Sequence, residues 1–196
     1  SSKSERARVT RYRRAVNRND TEASQQIRDK IRLHKLFCVQ RHTVLLYEAK
    51  AKGMSGDFEG AMTILDQIRS ERRETRKSSD RYLDAMLANM GKWVKTNRQL
   101  EQRSIEDSAA ELISPPCWSD IHKAFKETKV TESCKAFVDV NAYGLPTNIN
   151  TTCQTADHDE AAVSAASCML FTPPTQGGER SPGSTLSVAF DFKPRE

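Results

Sequence analysis

Polar and apolar positions along this chain fall into two regimes, one with a clear helical period up to about Ile113 and one without it. From Asn19 to Lys52, the residues Ile27, Ile31, His34, Cys38, His42, Leu45 and Ala49 recur at intervals of three and four. Leu33, Leu36, Phe37, Val44 and Tyr47 add a second stripe. The pattern predicts one long helix, apolar on several faces and packed between other helices. Asn19 followed by Glu22 resembles a capping box at its start, and Gly53 and Gly56 mark its end. Asp57 is placed to cap a second helix with Phe58, Ala61, Met62, Leu65 and Ile68 on one face. A third helix is expected over residues 80–103, carrying Tyr82, Leu83, Met86, Leu87, Met90, Trp93, Val94 and Leu100. Short polar connections make consecutive helices antiparallel, so the expectation is a helical hairpin extended to a three-helix bundle.

The period fades after Ser114-Pro-Pro-Cys117. Residues 118–129 fit a short helix through Trp118, Ile121, His122 and Phe125, Ala136–Val140 fits a strand, and Ala161–Leu170 fits another short helix. Thr172–Ser184, rich in Pro, Gly and Ser, reads as loop, and Leu186–Phe192 alternates as a strand does. An isolated strand is unstable, so this last one needs a partner here or in another chain. The expected organisation is therefore a basic arm at 1–18, a helical bundle at 19–113, and an irregular acidic extension at 114–196 with short helices and one or two short strands. The fold class is mainly α.

Charge sharpens that division. The chain of 196 residues is 37% hydrophobic and 29% charged with a formal net charge of +5. Residues 1–104 carry 24 Lys/Arg and 13 Asp/Glu, a net +11, whereas residues 105–196 carry 7 and 13, a net −6. Residues 1–18 alone hold seven basic groups and one acid. Arg6, Arg8, Arg11, Arg13 and Arg14 are the candidate contacts to nucleic acid or another anionic partner, because guanidinium forks match phosphate geometry. The bland alternative is a helix that packs by Val9, Tyr12 and Val16 and holds its arginines in solvent. No run of about 18 apolar residues occurs, so no membrane-spanning helix is expected.

Candidate chemistry is sparse. His34, Cys38 and His42 lie at i, i+4 and i+8, a spacing that puts three metal-binding groups along one helix face, but a fourth ligand is not identifiable. Asp157-His-Asp-Glu160 reads as the solvated start of the following helix rather than a site. There is no GxSxG, GxxxxGK[ST], GxGxxG or HExxH, so neither a catalytic residue nor a cofactor is expected. Five cysteines at 38, 117, 134, 153 and 168 include no CxxC pair. The last four allow two bridges, and Asn19-Asp-Thr21 and Asn150-Thr-Thr152 match the glycosylation sequon, yet reduced thiols in an intracellular setting are the favoured expectation. The first eighteen residues lack the apolar stretch of a signal peptide, and the chain begins with Ser, as a fragment or processed product would.

Residues 40–100 resemble the helical region that follows the von Willebrand factor A domain in some intracellular proteins. The residues that carry the likeness are Tyr47-Glu-Ala-Lys-Ala51, Gly56-Asp-Phe-Glu-Gly-Ala61, Ile64-Leu65 and Tyr82-Leu-Asp-Ala-Met86. The Asp-x-Ser-x-Ser metal motif of the A domain itself does not occur in the chain. The resemblance implies an interaction or scaffolding role and transfers no catalytic residue. The expected function is a non-enzymatic scaffold contacting other protein subunits, or further copies of the same chain, within an assembly. The alternative is an RNA-contacting structural subunit that uses the arginines of the N-terminal arm.

Overall fold

The computed structural model describes residues 2–75, 80–103, 106–117, 132–155 and 158–192. The chain is mainly α, with its short antiparallel strands confined to the C-terminal part. It divides into two compact units, residues 1–98 and residues 99–196. That division falls ahead of the change in sequence character at Ser114.

The first unit contains α1 (Lys3–Asn17), α2 (Thr21–Asp29), α3 (Cys38–Met54), α4 (Phe58–Thr75) and most of α5 (Arg81–Gln102). The single long helix expected over 19–52 is broken. Its start is displaced by one residue: Asn19 takes the left-handed conformation at φ 55, and Asp20 caps α2 by accepting the Ala23 N–H. After α2 the chain turns through a short 3-10 segment, Leu33–Lys35, flanked by extended backbone at Arg32 and Leu36. The turn lets Ile31, Leu33 and Leu36 reach inward onto Val9, Tyr12, Val16, Val44 and Tyr47. Burying Ile31 and partly burying Leu33 and Leu36 offsets the few helical hydrogen bonds lost at the break.

α3 and α4 form a helical hairpin. Asp57 caps α4 as its position implies, with Oδ1 accepting the Gly60 N–H at 2.8 Å. Val44, Leu46, Ala49, Phe58, Ala61, Leu65 and Ile68 are almost completely buried. From α5, Trp93 is fully buried and meets Phe58 edge-on, with ring centroids 6.0 Å apart. A methyl group at Gly53 would lie 2.6 Å from the Trp93 ring, so only glycine lets α3 approach the indole this closely. Arg72–Asp84 and Arg98–Glu59 pair α4 with α5 across the surface.

The second unit holds more regular structure than its composition announces. Among the described residues its elements are β1 (Leu112–Ser114), β2 (Glu132–Val140), β3 (Pro146–Cys153), α6 (Asp159–Ala166), β4 (Leu170–Phe171), β5 (Thr175–Gln176), β6 (Glu179–Arg180) and β7 (Thr185–Phe192). β2 lies between β3 and β7 in an antiparallel three-stranded sheet. Cys134, Ala136, Val138 and Val140 of β2 are buried against Ala162, Ala165, Ala166, Met169 and Phe171. Ser133, Lys135 and Phe137 alternate to the exposed face, the period of two that a half-buried strand requires.

Three expectations for this region are corrected. The extension is not irregular, because β2, β3 and β7 make one sheet around a common core with α6. The presumed loop at 172–184 contains the β5–β6 hairpin, closed by Gly177 and Gly178 at positive φ, which a two-residue hairpin turn demands. The thiols are not all reduced: Cys117 is bonded to Cys168 and Cys134 to Cys153, leaving Cys38 free and exposed. Cys134 and Cys153 stand directly opposite each other in the β2–β3 register, a separation that a spacing argument cannot see without β3. The helix expected at 118–129 lies outside the described residues.

Candidate functional site

The N-terminal arginines sit on a regular helix, not on an extended arm. Ser2 and Glu5 form a reciprocal capping box at the start of α1: the Ser2 hydroxyl accepts the Glu5 N–H at 3.2 Å, and the Ser2 N–H donates to Glu5 Oε2 at 2.9 Å. Val9, Tyr12, Ala15 and Val16 form the buried stripe. That stripe fixes where each arginine points. Arg6 and Arg11 are exposed, whereas Arg8, Arg13 and Arg14 are half-buried. Arg8 donates from Nη1 to the Lys30 carbonyl at 2.9 Å, which ties α1 to the turn after α2. Helical geometry puts Arg11 and Arg14 on one side and Arg6 and Arg13 on another, so the five cations do not converge on a single point.

Tyr12 is buried beside the Arg28–Glu48 ion pair, whose Nε–Oε2 distance is 2.9 Å. Burial pushes the Tyr12 phenol well above its ordinary range, the Glu48 charge adds to this, and Arg28 opposes it. A polar groove of about 550 Å3 opens between α2 and α3, with Tyr12, Ser24, Gln25, Arg28, Glu48 and Lys52 among its walls. Lys50 lies beneath the surface, 3% exposed, and its ammonium donates to Asn17 Oδ1 at 2.7 Å. Burial alone brings its pKa down to about 7. The amide oxygen supplies one acceptor and no compensating charge.

The break in the helix sets His34 apart from Cys38 and His42, which stay one turn apart on α3. His34 sits exposed in the 3-10 turn, Cys38 is the first residue of α3, and His42 is 1% exposed one turn further on. The continuous helix that would align them does not form. Among the described residues, no three His, Cys, Asp or Glu side chains are grouped to hold a metal ion.

His42 belongs instead to a link between α3 and α4. Its Nε2 lies 3.2 Å from Glu71 Oε2, while Glu71 Oε1 accepts from Arg41 Nη2 at 2.7 Å and from Gln67 Nε2 at 2.9 Å. Burial holds the imidazole below its ordinary pKa against the pull of Glu71, so it is neutral at pH 7. Burial acts to raise the Glu71 carboxyl, and Gln67, Arg41 and His42 together bring it below the usual range. His42 Nδ1 is buried without a hydrogen-bond partner. The sequence reading missed this link, as it missed Lys50. The signal was there in a weaker form, as single polar residues interrupting the most apolar stretch of α3.

Near residue 158, Asp159 Oδ1 accepts the Cys153 N–H at 2.9 Å and Thr151 donates to the Asp159 carbonyl at 3.0 Å. Asp159 thus stitches the start of α6 to the end of β3. Asp157 lies outside the described residues. Arg41–Glu71–His42, Arg28–Glu48, Lys50–Asn17 and the Asp159 contacts hold elements together within each unit. Compared with family models, with curated proteins and with solved structures, the chain shows no match.

Proposed function

We propose that the chain is a non-enzymatic scaffold that mediates protein–protein contacts within a larger assembly. The observation that carries this reading is the use of polar chemistry for cohesion: Arg41–Glu71–His42, Arg28–Glu48 and Lys50–Asn17 all join helix to helix. On this reading α3, α4 and α5 act as an antiparallel three-helix bundle. The likeness of residues 40–100 to the region after a von Willebrand factor A domain supports the same role. The test is site-specific photo-crosslinking in the native host from Arg11 and from Lys92, both exposed. A scaffold gives discrete protein adducts from at least one position. Smears of no defined mass from both, with the purified chain remaining monomeric, contradict the proposal.

A second reading, RNA contact through α1, is favoured by one observation: Arg6 and Arg11 are exposed on a helix whose acid, Glu5, is engaged in its own cap. An R6Q/R11Q variant that leaves the salt dependence of RNA binding unchanged rejects this reading.

A further inference from the structure

The segment that interrupts the expected long helix has an unusual composition, Lys30-Ile-Arg-Leu-His-Lys-Leu-Phe-Cys-Val39, with basic and apolar residues interleaved. The fold sorts them. Ile31 is buried, and Leu33 and Leu36 pack onto the core, which anchors the turn. Lys30, Arg32 and Lys35 are left outside, all exposed. Phe37 and Val39 are also outside, at 65% and 39% exposure. An aromatic ring held two-thirds in water by a well-anchored turn is a costly arrangement for a protein that never covers it.

The cations of the same segment are available. Among the described residues none of Lys30, Arg32 and Lys35 forms a salt bridge. Together with Arg8 they line a cleft of about 520 Å3 at the start of α1, shared with Ser2, Glu5 and Asp29. Both acids are occupied, Glu5 by the Ser2 cap and Asp29 by the Gln25 amide at 2.7 Å. Four basic groups against two acids leave the surface cationic.

We propose that residues 30–39 form a peripheral docking surface for an anionic lipid bilayer. Phe37 and Val39 enter the boundary between headgroups and acyl chains, while Lys30, Arg32 and Lys35 meet lipid phosphates, as on other basic and apolar interfacial segments. The occupant is chosen by the apolar pair. Nucleic acid rewards an aromatic ring by stacking but gains little from an aliphatic side chain such as Val39. Free phosphate rewards neither. A surface that carries both hydrocarbon and phosphate uses every exposed group of the turn. The proposal stands independently of the scaffold reading.

The test is co-sedimentation of the full chain with vesicles of phosphatidylcholine alone and of phosphatidylcholine mixed with phosphatidylglycerol. Binding is expected to the mixed vesicles, weakening as salt rises. Phe37→Ser is expected to weaken it about tenfold, and K30Q/R32Q/K35Q roughly a hundredfold. Phe37→Trp is expected to retain binding. All four positions are exposed, so circular dichroism and the melting temperature should match the parent chain. The proposal is overturned if Phe37→Ser binds as the parent does, if inorganic phosphate or glycerol phosphate displaces the protein at vesicle-equivalent concentration, or if single-stranded RNA is bound more tightly than mixed vesicles.

Discussion

The two units achieve cohesion by opposite means. The first buries large side chains, Trp93, Phe58, Leu46, Leu65, Ile68 and Met90, and joins its helices further with buried or half-buried polar links. The second packs four completely buried alanines, Ala136, Ala162, Ala165 and Ala166, together with Val138, Val140, Met169, Leu170 and Phe171, and closes this core with two disulfides. Alanines bury little apolar area, so these four add little hydrophobic free energy to set against chain entropy. Covalent closure constrains the unfolded chain instead, over sequence separations of 51 and 19 residues. The contrast teaches that one chain can hold two solutions to the same stability problem, each sensitive to a different perturbation.

The largest break in that contrast comes from the cysteines. Replacing all four bonded cysteines by serine should abolish cooperative unfolding of residues 99–196, because each native disulfide of a small unit contributes about 2–5 kcal/mol. The helical transition in a urea titration followed by far-ultraviolet circular dichroism should remain. Next in size is Trp93→Ala, which removes the largest fully buried side chain of the first unit. It should cost the helical unit about 3–5 kcal/mol and leave the second unit unchanged.

A smaller effect of opposite sign follows from Lys50. Its folded pKa of about 7 lies below the ordinary lysine value of 10.5, so between those two values the unfolded state binds more protons than the folded one. Stability of the helical unit should therefore rise with pH from about 7 towards 10. Below 7 the full cost of burying the ammonium is present. Lys50→Met should stabilise the unit at pH 7 by about 1–2 kcal/mol, discounted for the lost Asn17 contact, and should flatten the rise. The smallest effect belongs to Arg28→Met, which breaks a partly exposed pair with Glu48 and should cost less than about 1 kcal/mol.

What was legible in the sequence follows the same contrast. Helices α4 and α5 and the Asp57 cap were readable because large apolar residues at intervals of three and four leave few alternatives. The break at 30–37 was not, since Ile31, His34 and Cys38 satisfy a helical period while the fold buries Ile31, Leu33 and Leu36 in a turn. Tertiary burial overrode local periodicity there, and with it went the alignment of His34, Cys38 and His42. β2 and β7 were visible in the sequence, but β3 sets only Ile149 and Cys153 toward the core among Asn148, Asn150, Thr151 and Thr152, too weak an apolar pattern to read as a strand. Without β3 the opposition of Cys134 and Cys153 is invisible, which is why the thiols read as reduced. The Gly177-Gly178 pair was the overlooked signal for the β5–β6 hairpin. Of the candidate arginines, the helix separates Arg6 and Arg11, which are free to meet a partner, from Arg8, which is tied to Lys30.

The most direct test of the contrast is hydrogen exchange of the full chain with and without a reductant, paired with a thiol titration of the unreduced protein in denaturant. One reactive thiol, from Cys38, is expected before reduction. Reduction should then abolish protection in β2, β3 and α6 while α3, α4 and α5 keep theirs. Five reactive thiols before reduction, or protection lost equally in both units, would contradict the account.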